Sequence, residues 1–283
     1  MSDADDRPEL KSDVVAIDER VLNNLESFVP PSFDDPADAR RHRKQRLVGG
    51  LRLLADLGLQ TGIAVAGHIT VRDPEFADRF WVNPINLPFD RVTVADLLCV
   101  DHGGQILEGE LPLNNAAFAI HAAIHRRFPH LDGACHAHAP NARPFSAFRR
   151  RVEPTSQDAC AFYESQALFD DYSGVVLGEE GERIAEALAE PTGDPAGYKV
   201  CILANHGHIG VGETVDEAVF WFVMFDQLCR DQLMLEASGR TYHVLDHDVA
   251  VHTREQVGTR TAGYTSFQAL FKSVLARHPD IVA

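Results

Sequence analysis

The chain has 283 residues, 45% of them hydrophobic, enough to bury a substantial core within one domain. A formal net charge of −16 opposes attraction to phosphate backbones and to anionic lipid, which excludes nucleic acid and membrane as expected partners. No apolar run reaches membrane-spanning length, and the acidic start Met1-Ser2-Asp3-Ala4-Asp5-Asp6 is the reverse of a secretory signal, so a cytoplasmic protein is expected.

Taken in order, residues 1–38 are rich in Asp, Pro and Ser and read as a partly disordered N-terminal arm, broken by Val29-Pro30-Pro31. The remainder, 39–283, reads as one domain with a C-terminal extension from about residue 238. Residues 39–57 place arginines first and then Leu47, Val48, Leu51 and Leu54 at helical spacing, an amphipathic helix ended near Gly58. Residues 64–72 alternate as a strand does, and 79–83 and 97–101 are further strands; a turn at His102-Gly103-Gly104 leads to a return strand over 105–107. A helix starts at Asn114 or Asn115, either of which can cap it, and stops before Pro129. Strand 133–139 follows.

Residues 158–164 are ambiguous between strand and loop, 172–177 read as a strand, and 182–189 as a short helix. The apolar run 199–204 is a strand leading into Asn205-His206-Gly207-His208. Thr214-Val215-Asp216-Glu217 is a capping box, so a long helix runs from there to about residue 237. The five cysteines are scattered, with no Cys-x-x-Cys, so neither a disulfide framework nor a thiolate zinc site is expected.

The chemistry centres on Ala134-Cys135-His136-Ala137-His138. Alternate residues of a strand share a face, so His136 and His138 present two imidazoles on one side of a sheet, as a divalent metal requires. A catalytic metal site typically takes three protein ligands and keeps one position open. His206, immediately after an apolar strand and followed by Gly207, is the natural third ligand. His121 and His125, four residues apart on a helix, read as packing groups or as groups supporting the ligands.

The ordered set His136-Ala137-His138, Asn205-His206-Gly207 and a capped helix, with Gly67-His68-Ile69-Thr70-Val71-Arg72, Asp101-His102-Gly103-Gly104 and Thr155-Ser156-Gln157-Asp158, resembles the class II aldolase/adducin family over residues 40–237. The resemblance implies an α/β fold of three layers, α/β/α, around a mostly antiparallel central sheet, assembled as a homotetramer with active sites at subunit contacts. It also implies a divalent metal on His136, His138 and His206 that polarises a substrate carbonyl while a carbon–carbon bond breaks.

Two departures bear on the substrate. The acid/base glutamate of the family aldolases falls on Ala117, beside Asn115 and Ala116, and an alanine moves no proton. The family's phosphate-binding segments read Gly67-His68-Ile69-Thr70 and Pro84-Ile85-Asn86-Leu87, which argues against a sugar phosphate. Gln157 to Glu164 resembles the aminocoumarin-pathway subgroup, non-haem iron oxygenases that remove carbon from prenylated aryl-pyruvates.

The leading expectation is a metal-dependent lyase acting on a small non-phosphorylated carbonyl compound or a 2-oxo or 2-hydroxy acid. An Fe(II) oxygenase decarboxylating an aryl-pyruvate and a catalytically silent adducin-like scaffold are the alternatives; retention of the three histidines counts against the scaffold. One divalent ion is expected, zinc or Fe(II), with manganese or cobalt equally compatible with imidazole ligands. Tyr163 and Glu164 are the candidates for proton transfer, and His68, Asn86, Asn115, Phe162 and His208 for the substrate pocket.

Overall fold

Asp35 opens the first helix. The computed structural model describes residues 28–60, 67–174, 178–194 and 196–282, without the side chains of 116, 117 and 178. In it the Asp35 carboxylate accepts the Ala37 amide at 2.8 Å and Pro36 occupies the first helical turn, so α1 (Pro36–Asp56) begins three residues before the charge pattern indicates. Strands β1 (Gly67–Arg72), β2 (Arg79–Val82), β3 (Leu98–Asp101) and β4 (Ile106–Glu108) follow as an antiparallel meander. Then come α2 (Asn115–Arg127), β5 (Gly133–Ala137), the short helices α3 (Ala142–Ser146) and α4 (Gln157–Cys160), β6 (Gln166–Phe169) and α5 (Gly178–Ala187). The chain continues through β7 (Val200–Leu203), β8 (Gly207–Gly212), α6 (Val215–Ala237), α7 (His247–Val257) and α8 (Arg260–Arg277).

The eight strands form one sheet in the order β4-β3-β2-β1-β5-β8-β7-β6, antiparallel throughout except for the β6–β7 pair. Helices cover both faces, because strand alternation sends apolar side chains to each. Toward α1, α6 and α8, Ile69, Val71, Cys135 and Ala137 pack with Leu47, Leu51, Val219, Phe222 and Phe267. Toward α2 and α5, Ala134, Ile209 and Val211 pack with Ile120, Ala123, Ile124 and Ile184. This is the three-layer α/β/α arrangement with a mostly antiparallel sheet. The C-terminal helix α8 is part of it, since Phe267, Phe271 and Val274 belong to the core over α1.

Several local expectations differ from what is observed. Residues 64–66 and 175–177 lie outside the described residues, as do 1–27 of the expected arm. Residues 172–174 are not a strand; the edge strand is β6, six residues earlier, where Gln166 donates its side-chain amide to the Val152 and Phe162 carbonyls. The ambiguous 158–164 segment contains α4, capped by Ser156, whose hydroxyl accepts the Ala159 amide at 3.2 Å. Strand β8 escapes a pattern reading because Gly207, Gly210 and Gly212 weaken strand propensity. Gly210 is required by close approach: a Cβ there would lie 2.4 Å from the Ala218 carbonyl oxygen of α6.

Candidate metal centre

Three adjacent elements converge on the site. β1 pairs with β5 so that His68 lies opposite His136, and β5 pairs with β8 so that Ala137 lies opposite His208. His136 is the fourth residue of β5, buried, with its ring on the α2 side. His138 falls one residue beyond the strand, where the Ala139 amide already turns back onto the Ala137 carbonyl at 2.9 Å. His206 sits in the tight β7–β8 turn, between Asn205 at φ +60° and Gly207 at φ +143°. Glycine is needed at 207 for that backbone conformation rather than for room, since a Cβ would make only ordinary contacts, the nearest at 3.9 Å.

One ring nitrogen from each of His136, His138 and His206 lies within 4.8 Å of the others, and among the described residues no carboxylate or thiol joins them. His138 Nε2 and His206 Nε2 are 3.1 Å apart. That is close to the edge of about 3.3 Å expected between two ligands on a tetrahedron with Zn–N bonds of about 2.0–2.1 Å. His136 Nδ1–H donates to the His208 carbonyl oxygen at 2.8 Å, a tautomer that leaves the Nε2 lone pair for a cation.

Electrostatics favour the same state. Burial, then the neighbouring His206, His68 and His138, pushes the pKa of His136 well below the ordinary histidine value. Burial followed by Arg143 lowers that of His138, and burial followed by His138 brings His206 down to about 4. All three are therefore neutral near pH 7, the form that ligates a metal. The donor set fits one divalent ion approached from the partly exposed His138 and His206 side.

Behind the triad the α2-facing side of β1 is polar despite being buried. The His68 ring lies 5.2 Å from that of His136 and 4.3 Å from that of His121. Thr70 Oγ1 bridges His121 Nδ1 at 2.6 Å and His125 Nε2 at 2.9 Å. A hydroxyl has one proton, so with both imidazoles neutral it can donate to one ring while accepting from the other, which couples their tautomers. Arg72 closes the row, with Nη2 on the His125, Phe128 and Leu131 carbonyls at the end of α2 at 2.8, 3.0 and 3.2 Å. His121 and His125 thus support the β1 face and are not ligands.

Of the other expected site residues, His68 alone has its ring beside the triad. The His208 side chain points to the opposite face, stacked on Phe222 at 4.1 Å with Nε2–H donating to the Phe222 carbonyl at 2.9 Å; its backbone, not its imidazole, serves the centre. Alternation decides this, since His208 pairs with Ala137 and so shares the α6-facing side. Phe162 is core, 5.4 Å from the rings of both Trp221 and Phe225. Asn86, at φ +62°, and Asn115 are exposed in a turn and at the start of α2. The Ala117 side chain lies outside the described residues.

Tyr163 and Glu164 precede β6, whereas His206 follows β7, which runs parallel to β6; within one chain they stand at the other end of the strands. There the Tyr163 hydroxyl meets His247 Nδ1 at 3.1 Å and the Glu164 carboxylate accepts from Arg254 at 3.1 Å, beside a cleft of about 360 Å³. A pattern reading overlooks Tyr172, whose ring stands 6.4 Å from His206. Its only sequence signal is its place shortly after an edge strand that is itself hard to recognise.

Comparison with known proteins is consistent with this geometry. A model of the class II aldolase and adducin N-terminal domain matches residues 45–233. The 4-hydroxy-3-prenylphenylpyruvate oxygenase/4-hydroxy-3-prenylbenzoate synthase of Streptomyces roseochromogenus subsp. oscitans is 43% identical, over 90% of this chain and 89% of that protein. Decarboxylase NovR of Streptomyces niveus is 43% identical over 89% of this chain and 91% of its own length. Among solved structures, an L-fuculose 1-phosphate aldolase from Glaciozyma antarctica PI12 matches with a TM-score of 0.82 at 35% identity, covering 90% of this chain and 97% of that one.

Proposed function

The chain belongs to the class II aldolase and adducin family, and from that premise we propose that it is a metal-dependent enzyme cleaving a carbon–carbon bond of a non-phosphorylated 2-oxo or 2-hydroxy acid. In its specific form the reading is an oxygen-consuming decarboxylation of an aryl-substituted 2-oxo acid. The observation that carries it is the convergence of His136, His138 and His206, all neutral, with no carboxylate among them in the described residues. The names of the two relatives at 43% identity, one an oxygenase acting on an aryl-pyruvate and one a decarboxylase, support the specific form.

A bound divalent metal supplies Lewis acidity toward a carbonyl or carboxylate oxygen and, as Fe(II), the capacity to react with oxygen. The chain's own groups do the rest. His136 is oriented by the His208 carbonyl, and the partly exposed His138 and His206 leave the approach open on their side. The segment that binds phosphate in sugar-phosphate aldolases is here built into β1, with Thr70 occupied by two imidazoles and His68 held between His121 and His136. That arrangement leaves no free hydroxyl at Thr70 for a phosphate and supports the non-phosphorylated substrate.

The reading includes a cytoplasmic homotetramer, which sedimentation of the purified protein would test; none of the described helices is long and apolar enough to cross a membrane. Anaerobic purification with elemental analysis, then oxygen-electrode traces with aryl-pyruvates, tests the chemistry. About one iron per chain and substrate-dependent oxygen uptake are expected. Turnover of the same acids by a zinc-loaded protein without oxygen uptake would move the assignment to a lyase, and activity in metal-free protein would overturn it.

A further inference from the structure

Two residues flank the triad, Arg143 by its place in the helical turn that follows His138 and Tyr172 by its ring beside His206. Arg143 lies five residues beyond His138 in the first turn of α3, its backbone amide bonded to the Ala139 carbonyl at 3.2 Å, and its side chain is exposed. Its guanidinium makes no ion pair or hydrogen bond with any described residue, yet its charge reaches His138, where it adds to burial in disfavouring the protonated ring. The nearby Arg149 is different: it is committed to Asn205 Oδ1 at 3.2 and 3.3 Å and to Asp170 at 3.4 Å. The carboxylates that could compete for Arg143 on the loop after β6 are also engaged, Asp170 with Arg149 and Asp171 with Arg183. In a chain of net charge −16, an unpaired guanidinium beside three neutral imidazoles is a local positive focus for an anion.

Tyr172 stands on the other flank. Its ring centroid is 6.4 Å from that of His206 at an interplanar angle of 59°, and the residue is 48% exposed. An exposed phenol ring at the edge of a polar centre offers apolar stacking area that its present neighbours leave uncovered.

Resting on the proposed decarboxylation of an aryl 2-oxo acid, we infer that Arg143 and Tyr172 are the substrate-recognition pair of this site: Arg143 takes the carboxylate and Tyr172 stacks against the aryl ring. The planar guanidinium fork matches a carboxylate in two parallel hydrogen bonds, which a lysine cannot reproduce. The division of labour makes the two residues separable: the carboxylate contact serves every 2-oxo acid, and the ring contact serves only aryl ones.

The test is calorimetric titration of the zinc-loaded protein with phenylpyruvate and with pyruvate, in wild type and in Arg143→Ala, Arg143→Lys, Tyr172→Ala and Tyr172→Phe. Zinc content is measured in each sample to show that the fold and the triad are intact. Arg143→Ala is expected to weaken both acids by about tenfold or more, with partial recovery in Arg143→Lys. Tyr172→Ala is expected to weaken phenylpyruvate by about threefold to tenfold and leave pyruvate unchanged, whereas Tyr172→Phe keeps wild-type affinity. Wild-type affinity for both acids in zinc-replete Arg143→Ala and Tyr172→Ala would overturn this inference while leaving the proposed function standing. Failure of the zinc-loaded wild type to bind either acid would overturn the proposed function, and the pair with it.

Discussion

Toward α2 the sheet buries His68 and His136 beside His121 and His125; toward α6 it buries His208 against Phe222 and Phe225. His136 and His208 sit on neighbouring strands and resemble each other in isolation. Each is buried, each is held neutral by that burial, and each donates one ring N–H to a backbone carbonyl. They differ in what faces the second nitrogen. That of His136 looks toward two further imidazoles, whereas His208 Nδ1 meets no partner among the described residues and its ring is stacked on Phe222. What makes His136 a candidate ligand is convergence with His138 and His206; burial and a lowered pKa, which His208 shares, do not suffice.

The largest effect that can break this comparison is loss of the metal. His136→Ala should weaken metal binding by more than about 100-fold, beyond the 10- to 100-fold typical of losing a supporting group; elemental analysis showing undiminished metal would remove His136 from the centre. A smaller effect is expected at the hydroxyl behind it. Thr70→Val leaves His121 Nδ1 and His125 Nε2 without their shared partner and should cost about 2–3 kcal/mol in urea unfolding while metal is retained.

The α2-facing histidines also make stability depend on pH. Burial, then the charge of Arg72, brings the folded pKa of His125 from 6.5 down to about 3, with Thr70, Phe80 and His102 as its other neighbours. Between those values the unfolded chain binds the extra proton. Stability from this group is therefore complete above about pH 6.5 and falls on acidification by about 1.4 kcal/mol per pH unit, reaching about 2 kcal/mol at pH 5. Urea titrations of metal-free protein at pH 7.5 and 5 check this, and an unchanged midpoint would contradict it. The mildest expected effect is on the α6 side, where His208→Phe should lose about 1 kcal/mol, the hydrogen bond to the Phe222 carbonyl, with metal content unchanged. Loss of metal there would erase the distinction between the two faces.

Much of this was legible before folding because it is local. His136 and His138 two apart, and His206 between an apolar strand and Gly207, are read from spacing. The start of α6 is read from Thr214, whose hydroxyl accepts the Glu217 amide at 3.1 Å, although the Glu217 carboxylate returns to the Glu213 amide rather than completing the box on Thr214. Strand β8 was not legible, because its glycines answer to demands that a strand pattern does not carry: Gly207 to a positive φ in the turn after His206, and Gly210 and Gly212 to the close approach of α6 folding back over the strand. The separation of Tyr163 and Glu164 from the triad within one chain has a related reason. Proximity in sequence to an aromatic run says nothing about which end of a parallel strand pair a residue occupies.

By itself, then, the sequence determined the candidate ligand set, the helices α1, α2 and α6 and the family pattern, since ligand type, capping and 3.6-residue periodicity are properties of short stretches. Tertiary structure alone decided which face each remaining histidine joins. That choice sends His208 to a Phe222 stack and His121 and His125 to Thr70, while the fold brings the Tyr172 ring beside His206. The physical reason is strand register: a shift of one residue exchanges the two faces of a sheet, and register is set by pairing partners tens of residues away, such as His68 opposite His136 and Ala137 opposite His208.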